Sequence, residues 1–269
     1  MGFTEGAVEF LETADADFTR TITLGRQLFH FTSKWPHGQP VDPFLERLGA
    51  GEMRSLDASD YEQATDIWDL NDPLPEHLRH QFTAVIDGGT LQSVFDFPRA
   101  LRNAMDLVAP DGTLIIVGPC NNCSGNNFYQ YSPDLFFRAL SKENGFEVSR
   151  LLVQDRRGWY QVADPLRVGK RLAFTTRGPT RLYVQARRVS GVEPFAESPQ
   201  QSHYQLMWSV DPEWKAKIPP PTGLRRFVPA FVKQARRDLT TRSIEYREAY
   251  PQSVGRMPST KKLGRHLSK

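Results

Sequence analysis

The feature that most constrains this chain is the turn triplet Pro110-Asp111-Gly112 followed at once by the unbroken apolar run Leu114-Ile115-Ile116-Val117. A strand without polar alternation has to be buried on both faces, so it belongs inside a sheet covered by helices on two sides. Further short β-rich runs recur at Thr21–Leu24, Met53–Leu56, Thr65–Trp68, Phe82–Ile86, Phe146–Val153 and Arg181–Ala186, which makes seven predicted strands. Helical patterns lie between several of them, at Pro43–Leu48, Leu91–Val108 and Pro133–Ser141, the last with Ser132 as its N-cap. The Leu91 helix is expected to end at Ala109-Pro110, because proline disfavours helical backbone in the residue before it. Alternating strands and helices predict an α/β fold, a doubly wound, mainly parallel sheet.

No apolar stretch approaches the roughly 18 residues needed to cross a bilayer. The N-terminal residues lack a basic and then apolar secretory signal, so the expected compartment is the cytoplasm, and only two cysteines, Cys120 and Cys123, agree with that. Charge divides the chain: residues 1–180 hold 17 basic and 24 acidic residues, net −7, while residues 181–269 hold 17 and 7, net +10. We therefore expect an α/β domain over 1–188 and, over 189–269, a linker and a basic, partly helical extension, folded back on the acidic body. Leu224–Thr240 reads as amphipathic helix and Gly255–Lys269 as a mobile end.

In an open parallel sheet ligands bind beyond the carboxyl ends of the strands. The residues expected there are polar: Gly25 after the first strand, Asp57 after the second, Asp69-Leu70 after the third, Asp87-Gly88-Gly89 after the fourth and Gly118–Asn122 after the fifth. An ionised carboxylate after the second strand can accept from both hydroxyls of a ribose, and one after the third from an exocyclic amine, which suits a nucleoside-bearing ligand.

Thr21-Ile22-Thr23-Leu24-Gly25, Arg54-Ser55-Leu56-Asp57, Asp66-Ile67-Trp68-Asp69-Leu70, Phe82–Leu91 and Leu107–Ile116 together resemble the class I S-adenosylmethionine-dependent methyltransferases from about Thr21 to Arg188. The resemblance implies a seven-stranded Rossmann-like sheet of order 3-2-1-4-5-7-6, the seventh strand antiparallel, with S-adenosylmethionine over the first three strands. It places Gly25 and Arg26 at the methionyl part, Asp57 and Ala58 at the ribose, Asp69 and Leu70 at the adenine, and Asp87 and Gly88 at the methionyl end. It departs from the family in one loop: Gly25-Arg26-Gln27-Leu28-Phe29-His30 stands where Gly-x-Gly-x-Gly is usual. Arg26 is a candidate partner for the methionyl carboxylate.

Dinucleotide enzymes need backbone donors for a pyrophosphate, so the same loop argues against a dehydrogenase; Walker and nucleophile-elbow motifs are absent. Cys120-Asn121-Asn122-Cys123 lacks a second ligand pair for a metal and reads as a loop. His30 is the candidate general base and Tyr129 the candidate residue orienting a methyl acceptor. The readings are methyl transfer to oxygen or nitrogen of a small molecule, or a methyltransferase-like scaffold without cofactor, with a protein partner or a homo-oligomer as possible associations. Arg225-Arg226, Lys233, Arg236-Arg237 and Lys261-Lys262 raise RNA binding, but Phe227 and Phe231 at helical spacing fit docking onto the body better; a membrane partner is not expected.

Overall fold

The computed structural model describes residues 2–169, 171–172, 174–209 and 254–256. Among the described residues the strands are β1 Gly2–Phe3, β2 Arg20–Leu24, β3 Leu28–Phe29, β4 Glu52–Asp57, β5 Asp66–Ile67, β6 Phe82–Asp87, β7 Val108–Asn121, β8 Phe146–Asp155, β9 Gly158–Val162, β10 Thr180–Arg188 and β11 Val254–Arg256. The α-helices are α1 Glu5–Glu12, α2 Asp42–Arg47, α3 Phe97–Leu107, α4 Pro133–Ala139, α5 Pro165–Val168 and α6 Ser202–Ser209. β1 and β3 form a small parallel pair, and the other nine strands make one sheet of order β11-β9-β8-β10-β7-β6-β2-β4-β5. β5, β4, β2, β6 and β7 run parallel, whereas β10 is antiparallel to both β7 and β8. Numbered as the predicted strands, the central seven stand 3-2-1-4-5-7-6, as the resemblance implies.

Leu114 and Ile116 enter one core with α3 and α4, while Ile115 and Val117 enter the other with Phe3, Phe10, Phe44 and Tyr183. Burial on both faces is what the unbroken apolar run requires. Three corrections follow. The sheet has nine strands rather than seven, because Gly158–Val162 folds back on β8 as a hairpin that buries Trp159 and Tyr160, and Val254–Arg256 pairs with it. The helix expected over Leu91–Val108 is split into a 3-10 turn at Leu91–Ser93 and α3, whose N-cap Asp96 accepts from the Arg99 amide at 3.2 Å. Pro110-Asp111-Gly112 does not delay the fifth strand; pairing moves from Phe82–Val108 to Ala84–Thr113, and Asp111, at φ +61°, lies in the resulting bulge. Ser132 occupies the N-cap of α4 without a side-chain capping bond.

The expected linker packs on the body: Ser202 donates to Asp134 (Oγ–Oδ1 2.5 Å), the Phe195 amide to Asn144 (3.0 Å), and Glu193 accepts from Arg79 and Arg102. The predicted helix at Leu224–Thr240 and the basic clusters at 225–237 and 261–262 lie outside the described residues. No helix among the described residues is long and apolar enough to cross a membrane.

Candidate functional site

The chain leaves β2 through Gly25, whose φ of +72° is left-handed and suits glycine. The loop is tied to β4, since the Gly25 amide donates to Leu56 O (2.6 Å) and the Arg26 amide to Asp57 Oδ2 (3.1 Å). The Arg26 guanidinium is held by Asp42 of α2 at 2.9 Å instead of standing open in the loop. Gln27 turns inward and is 1% exposed; its Nε2 donates to Leu24 O (2.5 Å) and to Thr90 Oγ1 (3.4 Å). Those two bonds aim its Oε1 toward Gly88, where a Cβ would lie 2.3 Å from that oxygen. Gly88→Ala is expected to displace the Gln27 amide and destabilise the fold by about 1–2 kcal/mol in urea unfolding.

Asp87 ends β6 fully buried. Its Oδ1 accepts from the amides of Gly89 (3.1 Å), Thr90 (2.6 Å) and Leu91 (3.2 Å), while Oδ2 has no partner among the described residues. Burial pushes its pKa up to about 6, against the lowering effect of those three amides. Gln27 Oε1, Gln92 Oε1 and the Tyr131 hydroxyl are likewise buried without a partner. Burial and the nearby Asp87 both raise the Tyr131 phenol well above its usual range. Gln92 and Tyr131 crowd Gly118, where a Cβ would meet the Tyr131 ring at 2.4 Å and Gln92 Oε1 at 3.2 Å. Of the eleven buried side-chain polar atoms without a partner among the described residues, these four gather at the carboxyl ends of β2, β6 and β7, which makes that edge the candidate place for a polar ligand.

Above them opens a cleft of about 240 Å³, lined by Thr4, His30, Gly88, Gln92, Asn127 and Arg181 among others. A larger cavity of about 400 Å³, lined in part by Arg138, Glu147, Arg150 and Asp164, sits at the amino end of β8, away from the strand ends that carry the acids. We place the site at the smaller one because it lies at the carboxyl ends of the parallel strands, where Gly88, Gly89 and Gln92 line it.

Of the residues singled out in the sequence, Gly25, Asp87, Gly88 and the buried Leu70 gather at the carboxyl edge with half-buried Asp57. Ala58 and Asp69 are exposed beside them, and Asp69 caps its own turn by accepting from Asn71 N (2.9 Å). His30 lines the cleft, its amide bonded to Phe3 O (2.8 Å) and its ring 5.2 Å from that of His37. Tyr129 is not among the residues lining the cleft; its ring packs on Phe97 and its hydroxyl is committed to Phe95 O at 2.6 Å. Cys120 is a half-buried thiol that burial pushes up to about 12, Cys120 and Cys123 are both free thiols here, and no metal-binding cluster occurs among the described residues.

Gln92 and Asn103 were missed. Asn103 donates to Leu70 O (3.0 Å) and Asp72 O (2.7 Å) and accepts from Leu74 N (3.2 Å), so one buried amide holds the loop that carries Asp69 and Leu70. A polar residue inside the apolar stripe of α3 was the available signal.

The strand order defines the class: a mixed α/β protein with the class I methyltransferase-like fold. No protein-family model and no curated protein matches the chain. Similar solved structures include an S-adenosylmethionine-dependent methyltransferase from Mesorhizobium loti, at 16% identity over 68% of this chain and 99% of that one, TM-score 0.44. Another, from Aquifex aeolicus, is 11% identical over 66% of this chain and 86% of that one, TM-score 0.40.

Proposed function

We propose that the chain is an S-adenosylmethionine-dependent methyltransferase acting on oxygen or nitrogen of a small molecule. The observation that carries the reading is the pair of buried, unpartnered acceptors, Gln27 Oε1 and Asp87 Oδ2, at the ends of the first and fourth central strands. An α-ammonium brings three donors and a positive charge, which is what two such acceptors lack. Gln27 thus replaces space in the usual glycine loop with a hydrogen-bond acceptor. Asp57 accepts from the ribose hydroxyls and keeps the Arg26 amide as its fixed orienting donor. Asp69 and Leu70 lie at the adenine, held by Asn103.

When bound, the cofactor supplies an electrophilic methyl group on a sulfonium centre. The chain's own part is positional. Gln92 Oε1 accepts from the hydroxyl or amine of the acceptor, and His30, at the cleft wall, takes its proton when the nucleophile is a hydroxyl. Tyr129, bonded to Phe95 O, serves by holding its own loop.

A second reading, a methyltransferase-like binding domain without cofactor, is favoured by one observation: the Gln27 side chain fills the ground over Gly88. Calorimetric titration with S-adenosylmethionine and S-adenosylhomocysteine separates the two. Micromolar binding that weakens at least about tenfold in Asp57→Ala, with little change in stability, is the expected result. Absence of heat and of thermal stabilisation with either ligand selects the second reading.

A further inference from the structure

The charge of the cleft runs against that of the body around it. Residues 1–180 are net −7, yet among the described residues lining the cleft there is no Asp or Glu, and Arg181 is the one Arg or Lys. Several arginines of the body are paired with carboxylates, Arg26 with Asp42, Arg54 with Asp66, Arg138 with Asp164 and Arg187 with Asp111, whereas Arg20 and Arg99 have no ion pair among the described residues and do not line the cleft. The Arg181 side chain has no hydrogen bond or ion pair to any described residue. It leads β10 just past a register shift, opposite Pro119 of β7, and its exposed side chain stands at the cleft between the loop after β7 and the start of α1 at Thr4.

Two independent features mark the same cleft as built to receive something. Gln92, 6% exposed, lines it and carries an unpartnered amide oxygen buried beside Gly118. On the walls, Phe31 holds a φ of +50° while 84% exposed, its ring stacked on His37 at 4.8 Å, and Asn127 holds a φ of +71°. A bulky residue in left-handed backbone with its ring in water is unfavourable twice over, and such strain concentrates at ligand sites. An unpaired guanidinium beside a buried acceptor and an apolar wall selects a ligand with an anionic group, a hydrogen-bond donor and a carbon face.

We propose that the methyl acceptor is a small molecule carrying a carboxylate or phosphate, and that this group pairs with Arg181. The word acceptor rests on the methyltransferase reading; the anion site does not.

The test uses the full chain, labelled with nitrogen-15, and inorganic phosphate as the probe at constant ionic strength. The arginine Nε–Hε resonance that disappears in Arg181→Gln is expected to shift saturably with phosphate. Phosphate affinity should fall at least about tenfold in Arg181→Gln, recover in part in Arg181→Lys, and stay unchanged in Arg20→Gln, at the amino end of β2. Binding of S-adenosylhomocysteine to Arg181→Gln should equal that of the parent. A linear, non-saturating shift, or equal phosphate affinity with and without Arg181, overturns the proposal even if S-adenosylhomocysteine binds. Saturable phosphate binding at Arg181 in a chain that binds no S-adenosylhomocysteine keeps the anion site and removes the methyltransferase reading.

Discussion

Asp87→Asn is expected to stabilise the free protein at pH 7–8 by up to about 3 kcal/mol and, in the same variant, to weaken cofactor binding at least about tenfold. The carboxyl is fully buried, and burial raises its pKa from 3.8 to about 6, despite amides donated by Gly89, Thr90 and Leu91. Its folded pKa lies above the unfolded one, so this group stabilises the fold most when protonated, below about pH 4. That contribution is lost as the pH rises toward 6 and stays lost above it. Roughly two pH units at 1.36 kcal/mol each give the figure of about 3 kcal/mol. Asparagine keeps an oxygen for the three amides and carries no charge to desolvate. Urea unfolding of both proteins from pH 4 to pH 8 checks it: the advantage of Asp87→Asn should be small at pH 4 and grow until about pH 6–7. Parallel stability curves would mean that water reaches Asp87 Oδ2 in the free protein. On the proposed function, the binding loss has a separate origin, the removal of the negative charge assigned to the ammonium, so a variant that is more stable and binds worse is the signature of a site that holds an uncompensated charge for its ligand.

Asn103→Leu should destabilise the protein by about 3 kcal/mol although it conserves volume. Leu70 O, which is buried, and Asp72 O and Leu74 N, which are half-buried, lose their partner together, at about 1 kcal/mol each. The damage should be local before it is global. Amide exchange is expected to accelerate across 69–74, next to the acid assigned to the adenine, while the amides of β7 keep their protection. Equal protection of the 69–74 amides in both proteins would show that the loop is held by packing of Leu70, which is 4% exposed, and not by the Asn103 amide.

These two residues mark where reading the sequence succeeds and where it stops. Asp87 was legible because a run of five apolar or β-prone residues, Phe82–Ile86, ends on it, and strand ends in a parallel sheet are where ligands meet the fold. Its buried, half-partnered state was not, since that depends on Gln27, 60 positions earlier, and on Tyr131 and Gln92 closing around it. Asn103 read as one polar residue on a helix; only α3 packed against the 70–74 loop makes it a clamp. The glycine-poor loop was legible as a departure, but the direction of each side chain was not. Arg26 went to Asp42 and Gln27 into the core, because the short helix α2 brought a carboxylate to the first and Thr90 an oxygen to the second.

By itself the sequence determined the alternation of elements, the two-sided burial of Leu114–Val117 and the succession of acids after strands, because hydrophobic periodicity and turn chemistry are local and act within a few residues of chain. Strand order, the added β9 hairpin, the unpartnered acceptors beneath the cleft and the unpaired Arg181 at its mouth were decided only by the tertiary structure. Each is a pairing, or a missing pairing, between groups far apart in sequence, and which distant polar groups meet is set by how the helices and strands pack.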